Sequence, residues 1–322
     1  MTLVSITVCA RNAENWVYQC LSSLFSQDHR PLEIIVVNDC SSDGTSDILK
    51  KSIKENPNLK VITNNKNLGA GKSFLNGINE FLNSDSKYLI KIDGDNQFKK
   101  NDVLKLKKLV VQKELDFIKC DRFWEKGIEG DIPNIRYVGN AFASLLIKFT
   151  TGYSKINDPL NGLFAFSKKS LIGTNLPKLF NRYGYPFYFV TNISIKSIGS
   201  QLKIGQLKNT IRYMEQKKSI NPLIMLFKLL VFSVYIYYKK IRIKFKYSEY
   251  QISSLMDISS QLFLLLGLFS FYKFLAIRYF NSIGPQGNWF IVFLIFFFTS
   301  TIFLFFSLKK ENENNKHRFY EL

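Results

Sequence analysis

The sequence predicts an α/β protein built on a doubly wound sheet, followed by a juxtamembrane helix and a C-terminal transmembrane helical hairpin. Three observations predict this. Short apolar, β-branched runs alternate with stretches of helical periodicity as far as Ile92. Two of those runs end in acidic turns, at Asn38-Asp39 and at Asp93-Gly94-Asp95, where ligands of such sheets bind. The C-terminal region holds two long apolar runs bracketed by basic residues.

The elements follow in order. Leu3 to Cys9 alternates as a strand, and Trp16, Val17, Cys20, Leu21, Leu24 and Phe25 fall on one face of a helix within Asn12–Gln27. Glu33 to Val37 is a continuous apolar run, as in a central parallel strand covered on both faces. The turn-rich Asn38 to Thr45 feeds a helix from Ser46 to about Asn56. Leu59–Ile62 is a third strand, Ala70–Leu82 a third helix, Tyr88–Ile92 a fourth strand and Leu115–Lys119 a fifth. Gly69-Ala70-Gly71-Lys72-Ser73 imitates the end of a phosphate-binding P-loop, but that pattern needs glycine where Lys66 stands, and it follows the third strand rather than the first. It reads as a helix start with Lys72 in solvent, a position near the site being the alternative.

Composition narrows the partners. The chain has 322 residues, 46% hydrophobic, with a formal net charge of +19. Such charge suits nucleic acid or an anionic membrane. The basic residues crowd around the apolar C-terminal region, so a membrane is expected and nucleic acid is not. Nucleic-acid binding would instead predict tight, salt-sensitive association of residues 1–215 alone. Cys9, Cys20, Cys40 and Cys120 have no paired spacing and read as reduced thiols of a cytosolic domain. Met1-Thr2 runs directly into the first strand, so no signal peptide is expected.

The stretch Asp93-Gly94-Asp95-Asn96-Gln97 closes the fourth strand. Residues i and i+2 of an extended segment point the same way, so Asp93, Asp95 and the Gln97 amide oxygen can converge on one hard cation. Oxygen ligands of this kind suit Mg2+ or Mn2+, with positions left for phosphates. An ordinary acidic surface turn is the alternative.

Ile6 to Asn12, then Leu21-x-Ser23-Leu24-x-x-Gln27, then Glu33 to Thr45, then Asp93-Gly94-Asp95, together resemble glycosyltransferase family 2. The resemblance covers about residues 3–215 and implies the GT-A fold, a Rossmann-like domain for a nucleotide-diphosphate sugar. It implies that Asp39 contacts base or ribose, that Cys9 and Arg11 line the nucleotide, and that metal at Asp93 and Asp95 bridges the donor diphosphate. Asn38 departs from the usual aspartate.

Asp93-x-Asp95-x-Gln97 is similar to the turn of polyprenol-phosphate sugar synthases, the dolichol-phosphate mannose synthase group. That likeness implies Arg122 and Arg136 as holders of an acceptor phosphate, since guanidinium forks suit phosphate monoesters. Either arginine could instead pair with Asp121, Glu125 or Asp131. Asn157-Asp158-Pro159-Leu160-Asn161-Gly162-Leu163-Phe164 resembles the family's Asp-x-x-(Ser/Asn)-Gly-Phe segment, with Asp158 facing the transfer site. A hydroxyl acceptor would need Asp158 as base; an ionised phosphate would need orientation only, leaving Asp158 to help place the metal or a basic residue. An Asx turn ahead of Pro159 is the structural alternative. An acidic position of the family falls on Val190, with Asn192 nearby. Arg212 and Lys217 or Lys218 resemble the segment that closes over donor phosphates; a solvated basic turn is the alternative.

Trp289–Leu308 is uncharged and of spanning length, about 20 residues. Ile258–Phe280 is a second run, with Lys273 and Arg278 able to snorkel. Lysines and arginines flank both outer ends, which puts both in the cytoplasm. Leu223–Tyr238 carries Lys228 and reads as an interfacial helix, a third span being the alternative. The expected organisation is a catalytic domain over 1–218, a basic juxtamembrane segment over 219–254, two membrane helices over 255–308 and a cytoplasmic basic tail over 309–322. The function implied is inverting, metal-dependent transfer from a nucleotide sugar to a polyprenyl phosphate at the cytoplasmic face of a membrane. A hydroxyl of a lipid-linked surface glycan is the alternative acceptor, and a catalytically silent membrane scaffold the alternative class. A homo-oligomer is compatible with the sequence.

Overall fold

A computed structural model describes residues 4–26, 33–124, 128–129, 132–180, 184–212, 222–279 and 285–322. The elements are β1 (Val4–Ala10), α1 (Val17–Phe25), β2 (Glu33–Asn38), α2 (Thr45–Glu55), β3 (Leu59–Thr63), α3 (Ala70–Asn83), β4 (Tyr88–Asp93), α4 (Lys100–Gln112), β5 (Phe117–Asp121), β6 (Ile128–Glu129), α5 (Asn134–Thr151), β7 (Phe164–Ser167), α6 (Lys168–Leu171), α7 (Leu176–Leu179), α8 (Tyr185–Ser200), β8 (Ile204–Lys208), β9 (Ile211–Arg212), α9 (Pro222–Lys244), α10 (Gln251–Tyr279), α11 (Gln286–Asn315) and β10 (Phe319–Glu321).

Eight strands form one sheet in the order β10-β8-β5-β7-β4-β1-β2-β3. Strand alternation divides the core between its two faces. Ile34 and Val36 of β2 pack with Val17, Leu21 and Leu24 of α1, Leu49 of α2 and Leu106 of α4. Ile35 and Val37 pack with Phe74 and Ile78 of α3, Ile147 of α5 and Phe189 of α8. Both faces are covered, which is why the strands read as unbroken apolar runs.

The doubly wound expectation needs one amendment. β7 runs antiparallel between β4 and β5, pairing Lys91 with Phe164 and Tyr88 with Ser167, so the sheet is mixed. β1 lies between β2 and β4, and the crossovers on its two sides diverge there. That switch point opens a crevice beyond the carboxyl ends of β1 and β4. Gly69 has φ +81°, a conformation open to glycine, and the helix begins at Ala70 with Lys72 exposed; no P-loop forms.

α10 and α11 are antiparallel and are the two helices, among the described residues, long and apolar enough to cross a membrane. α9 packs on α5 and α8. At its end four charges are buried together: Lys240 Nζ stands 2.9 Å from Glu311, and Lys244 pairs with both Asp257 and Glu311. Ser307 Oγ donates to Asp257 at 2.6 Å, and Ser154 Oγ, in the turn after α5, donates to Asn312 at 2.6 Å.

The segment 309–322, expected as a tail, carries regular structure. α11 continues to Asn315, and Phe319–Glu321 joins the central sheet as β10, parallel to β8. An open edge of β8 offers unpaired backbone groups, and the chain returning from α11 fills it.

Candidate active site

The ends of three strands are clamped together at the switch point. Gly94 N donates to Cys9 O at 2.9 Å, and Asp39 N donates to Ala10 O at 2.9 Å. The backbone at Cys9 thus lies in the crevice, as expected, while burial pushes its thiol up to about 12. Arg11 follows β1 and is exposed.

Asp93 ends β4 with its side chain 35% exposed, and Lys91 Nζ lies 2.5 Å from its Oδ1. Lys91 is buried beside the Tyr185 ring, 5.5 Å from its centroid. Burial alone would lower the lysine pKa, but the Asp93 carboxylate outweighs it and holds the group above its usual range. Asp95 and Gln97 are half-buried, and Gln97 N donates to Asp95 Oδ1 at 3.3 Å. Asn96 between them takes φ +56°, the turn that ends the strand direction. Arg212 N donates to Gln97 O at 3.1 Å, and Phe98 bridges Ile211, so β9 carries Arg212 to this turn. Two part-exposed carboxylates and an amide on one turn fit a hard divalent cation that shares its remaining positions with phosphate oxygens.

The loop Asn157–Leu163 joins this turn to the arginine after β5. Gly162 abuts the turn: a Cβ there would collide with Asp93 Oδ2 and lie 3.1 Å from Lys91 Nζ. Asp158, wholly buried with φ +47°, accepts from Arg122 N at 3.1 Å. Arg122 Nε lies 3.0 Å from the same Oδ2. Burial raises the Asp158 carboxyl, opposed by Arg122 and by Lys119. Lys119 is buried in the middle of β5, its Nζ donating to Asn161 O and lying 5.0 Å from the Phe164 ring; burial lowers it to about 7. Gln206 fixes the loop's other end, its Oε1 accepting from Asn157 N at 2.7 Å and its Nε2 donating to Asp121 at 3.2 Å.

The Phe123 and Tyr137 rings meet at 5.5 Å, bringing the segment after Arg122 against the first turn of α5, where Arg136 is exposed. A cavity of about 360 Å³ opens there, lined by Phe123, Tyr137, Asn140, Ser144, Lys148 and Asp158. Arg122 is therefore engaged by Asp158, and Asp158 is a buried partner of Arg122 rather than an open carboxylate.

Asp39 is also engaged. It is 3% exposed and accepts from Asn64 Nδ2 at 2.9 Å and from the amides of Leu68 and Gly69 at 2.7 Å. Burial would raise its pKa, but these donors lower it below the usual range. Its carboxylate anchors the β3–α3 loop. Asn38 Oδ1 accepts from Ser41 Oγ at 2.6 Å, shaping the loop that follows β2. Val190 lies in the core, and Asn192 Nδ2 bonds Tyr188 O at 3.0 Å within α8.

The structure thus brings Cys9, Asp93, Asp95, Gln97 and Arg212 to one turn, Asp158 to the lining of the adjoining cavity, Arg122 to Asp158, and Arg136 to the first turn of α5. Lys217 and Lys218 lie outside the described residues. Sequence reasoning missed Lys91, Lys119 and Tyr185. A lysine inside an otherwise apolar strand, in register with an acid two residues on, was the available signal.

Comparison with known proteins gives a consistent result. The sequence profile described as Glycosyl transferase family 2 matches residues 5–172. An uncharacterised glycosyltransferase of Haemophilus influenzae is 42% identical over 94 residues, 29% of this chain and 28% of that protein. The chain spans less than a third of that relative's length. UDP-N-acetylglucosamine–dolichyl-phosphate N-acetylglucosaminyltransferase of Methanococcus voltae is 26% identical over 181 residues, 52% of this chain and 71% of that protein. Glucosyl-3-phosphoglycerate synthase from Mycobacterium tuberculosis, solved with UDP, superposes with a TM-score of 0.53 at 17% identity, covering 73% of this chain and 80% of that one. The same enzyme with Mn2+ and UDP-glucose gives 0.52 at 18% identity, covering 72% and 78%. At this identity the superposition establishes the GT-A fold.

Proposed function

This chain belongs to glycosyltransferase family 2, and we propose that it is a membrane-anchored, inverting glycosyltransferase acting on a lipid-borne phosphate. The donor is a nucleotide-diphosphate sugar bound across the ends of β1 and β4. The acceptor is a polyprenyl phosphate presented at the cytoplasmic face.

One observation carries the reading. The loop 157–162 touches Asp93 through Gly162 and Arg122 through Asp158, beneath a helix whose outer stripe of Ile135, Val138, Leu145 and Phe149 is apolar and exposed. Donor turn, Arg122 and apolar surface thus follow one another. The dolichyl-phosphate transferase relative supports the acceptor class.

Asp93, Asp95 and Gln97 would hold Mg2+ or Mn2+, which supplies charge neutralisation of the diphosphate when bound. Arg212 reaches the same turn. Lys91 orients Asp93, and Arg122 with Arg136 orients the acceptor phosphate. Its oxygen attacks the anomeric carbon in line, and the nucleoside diphosphate leaves with the bonding electron pair. An ionised phosphate needs no general base, which agrees with an Asp158 that is buried and tied to Arg122.

The test is a transfer assay on detergent-solubilised protein with nucleotide sugars, Mn2+ or Mg2+, and short polyprenyl phosphates, read by mass spectrometry. A sugar-phosphate-lipid lost in Asp95→Ala supports the reading. Transfer to a lipid-linked glycan instead identifies a hydroxyl acceptor. Nucleotide-sugar binding without any transfer identifies a silent scaffold.

A further inference from the structure

A second cavity, of about 950 Å³, lies between the α6–α7 connection, α8 and the C-terminal end of α9. It is remote from the switch point. β7 runs antiparallel to β4, so α6 and α7 follow it at the sheet edge opposite Asp93. α8 starts beside Lys91 and ends before β8, whose Ile204 pairs with Phe117 at the start of β5. The residues of α8 that line the cavity, Asn192 to Ser200, belong to its far half.

Lys178, Lys196, Lys239 and Lys246 line this cavity, with Phe232 and Tyr235 among its apolar walls and no carboxylate in the lining. None of the four lysines pairs with a carboxylate among the described residues. Lys196 Nζ donates to Ser170 O at 2.8 Å, and Lys239 Nζ to Asn192 Oδ1 at 3.3 Å, all neutral acceptors. Asp116 attracts Lys196 from farther off but is engaged by Ser167 and Lys169. Burial lowers the Lys196 pKa, as expected for a cation lacking a close anion. Four uncompensated cations around one concavity select an anion.

Position selects its source. Lys246 and Tyr247 line the cavity and immediately precede the helix stretch Ser248–Tyr279 that is able to cross a membrane. The lysines therefore stand where a bilayer's headgroups would meet α10, and Tyr235 and Tyr247 have the amphipathic character of interfacial side chains.

We propose that this cavity binds the phosphate headgroup of an anionic membrane lipid, at a site separate from the transfer site. The proposal rests on α10 and α11 spanning a membrane. If that premise fails, alkaline carbonate releases the full chain from membranes, an outcome distinct from those below.

The test measures the melting temperature of the full chain in detergent against phosphatidylglycerol, phosphatidylcholine and inorganic phosphate. Wild type and the triple variant Lys178→Gln, Lys239→Gln, Lys246→Gln are compared; Lys196 is retained because it also binds backbone carbonyls. Phosphatidylglycerol is expected to stabilise wild type at a concentration at least about tenfold below phosphatidylcholine, with that preference lost in the variant. Equal stabilisation by the two lipids, or a preference that survives in the variant, overturns the proposal. Inorganic phosphate protecting as well as phosphatidylglycerol assigns the cavity to a soluble anion and overturns the lipid assignment. Lys50→Gln with Lys54→Gln on α2 is the charge control and should retain the preference.

Discussion

Lys91 Nζ and Asp93 Oδ1 stand 2.5 Å apart, two residues along one face of β4, one buried and the other at the mouth of the crevice. The pair fixes the carboxylate that opens the Asp93–Gln97 turn. A buried lysine has no water to replace a lost anion, whereas Asp93 has partial access to solvent.

Lys91→Met should therefore cost less than the rupture of a fully buried pair. A loss of about 1–2 kcal/mol is expected, discounted from the ~3–5 kcal/mol of fully buried pairs. Turnover should fall at least about tenfold, because Asp93 loses its orientation. Chemical denaturation and the transfer assay read these separately. Unchanged turnover would remove Lys91 from the site's support.

Gly162→Ala tests the same carboxylate from its other side. The added methyl would meet Asp93 Oδ2, a short side chain already held by Lys91. Activity should drop by about tenfold or more while the melting temperature moves by only a few degrees. A large unfolding effect with normal specific activity would make Gly162 a packing residue alone.

The strands β1 to β5 and the Asp93–Gln97 turn were legible because they follow local rules: apolar runs, and i, i+2 alternation. β7 and β10 were not. Phe164–Ser167 is too short to carry a period, and Phe319-Tyr320-Glu321 becomes a strand because β8 leaves an edge open. α4 also went unassigned, its buried Val103, Leu106 and Val110 interleaved with lysines. In the site, the pairing of Asp158 with Arg122 joins residues 36 apart, and Asp39 is occupied by a loop about 30 residues on. No local pattern encodes which of several carboxylates a distant donor will take.

Lys119 gives a pH dependence with a defined sign. Its folded value of about 7 lies below the ordinary lysine value of 10.5, so between these the unfolded chain binds the extra proton. Stability from this residue should rise with pH over that window, by up to ~1.4 kcal/mol per unit, and stay flat below about pH 7. Melting curves from pH 7 to pH 9 should climb more steeply in wild type than in Lys119→Met. Parallel curves would show that Lys119 keeps its proton in the folded protein.

Deleting residues 319–322 tests the coupling between the returning chain and the site. β10 closes the edge of β8, with Leu322 N donating to Gln206 O at 3.0 Å, and the Gln206 side chain holds Asn157 N and Asp121. Asn157 and Asp121 immediately precede Asp158 and Arg122, so a loosened β8 should slacken that pair beside the proposed acceptor cavity. Each backbone hydrogen bond lost costs about 1 kcal/mol, and the half-buried Phe319 and Tyr320 add apolar area, so a loss of about 2–4 kcal/mol is expected. The acceptor KM should rise more than the donor KM, because the slackened loop end bears on Arg122 while Asp93 keeps Lys91. Gln206→Leu should reproduce the KM split with a smaller stability loss, since it leaves β10 paired. A truncated protein with unchanged acceptor KM would confine β10 to closing the sheet.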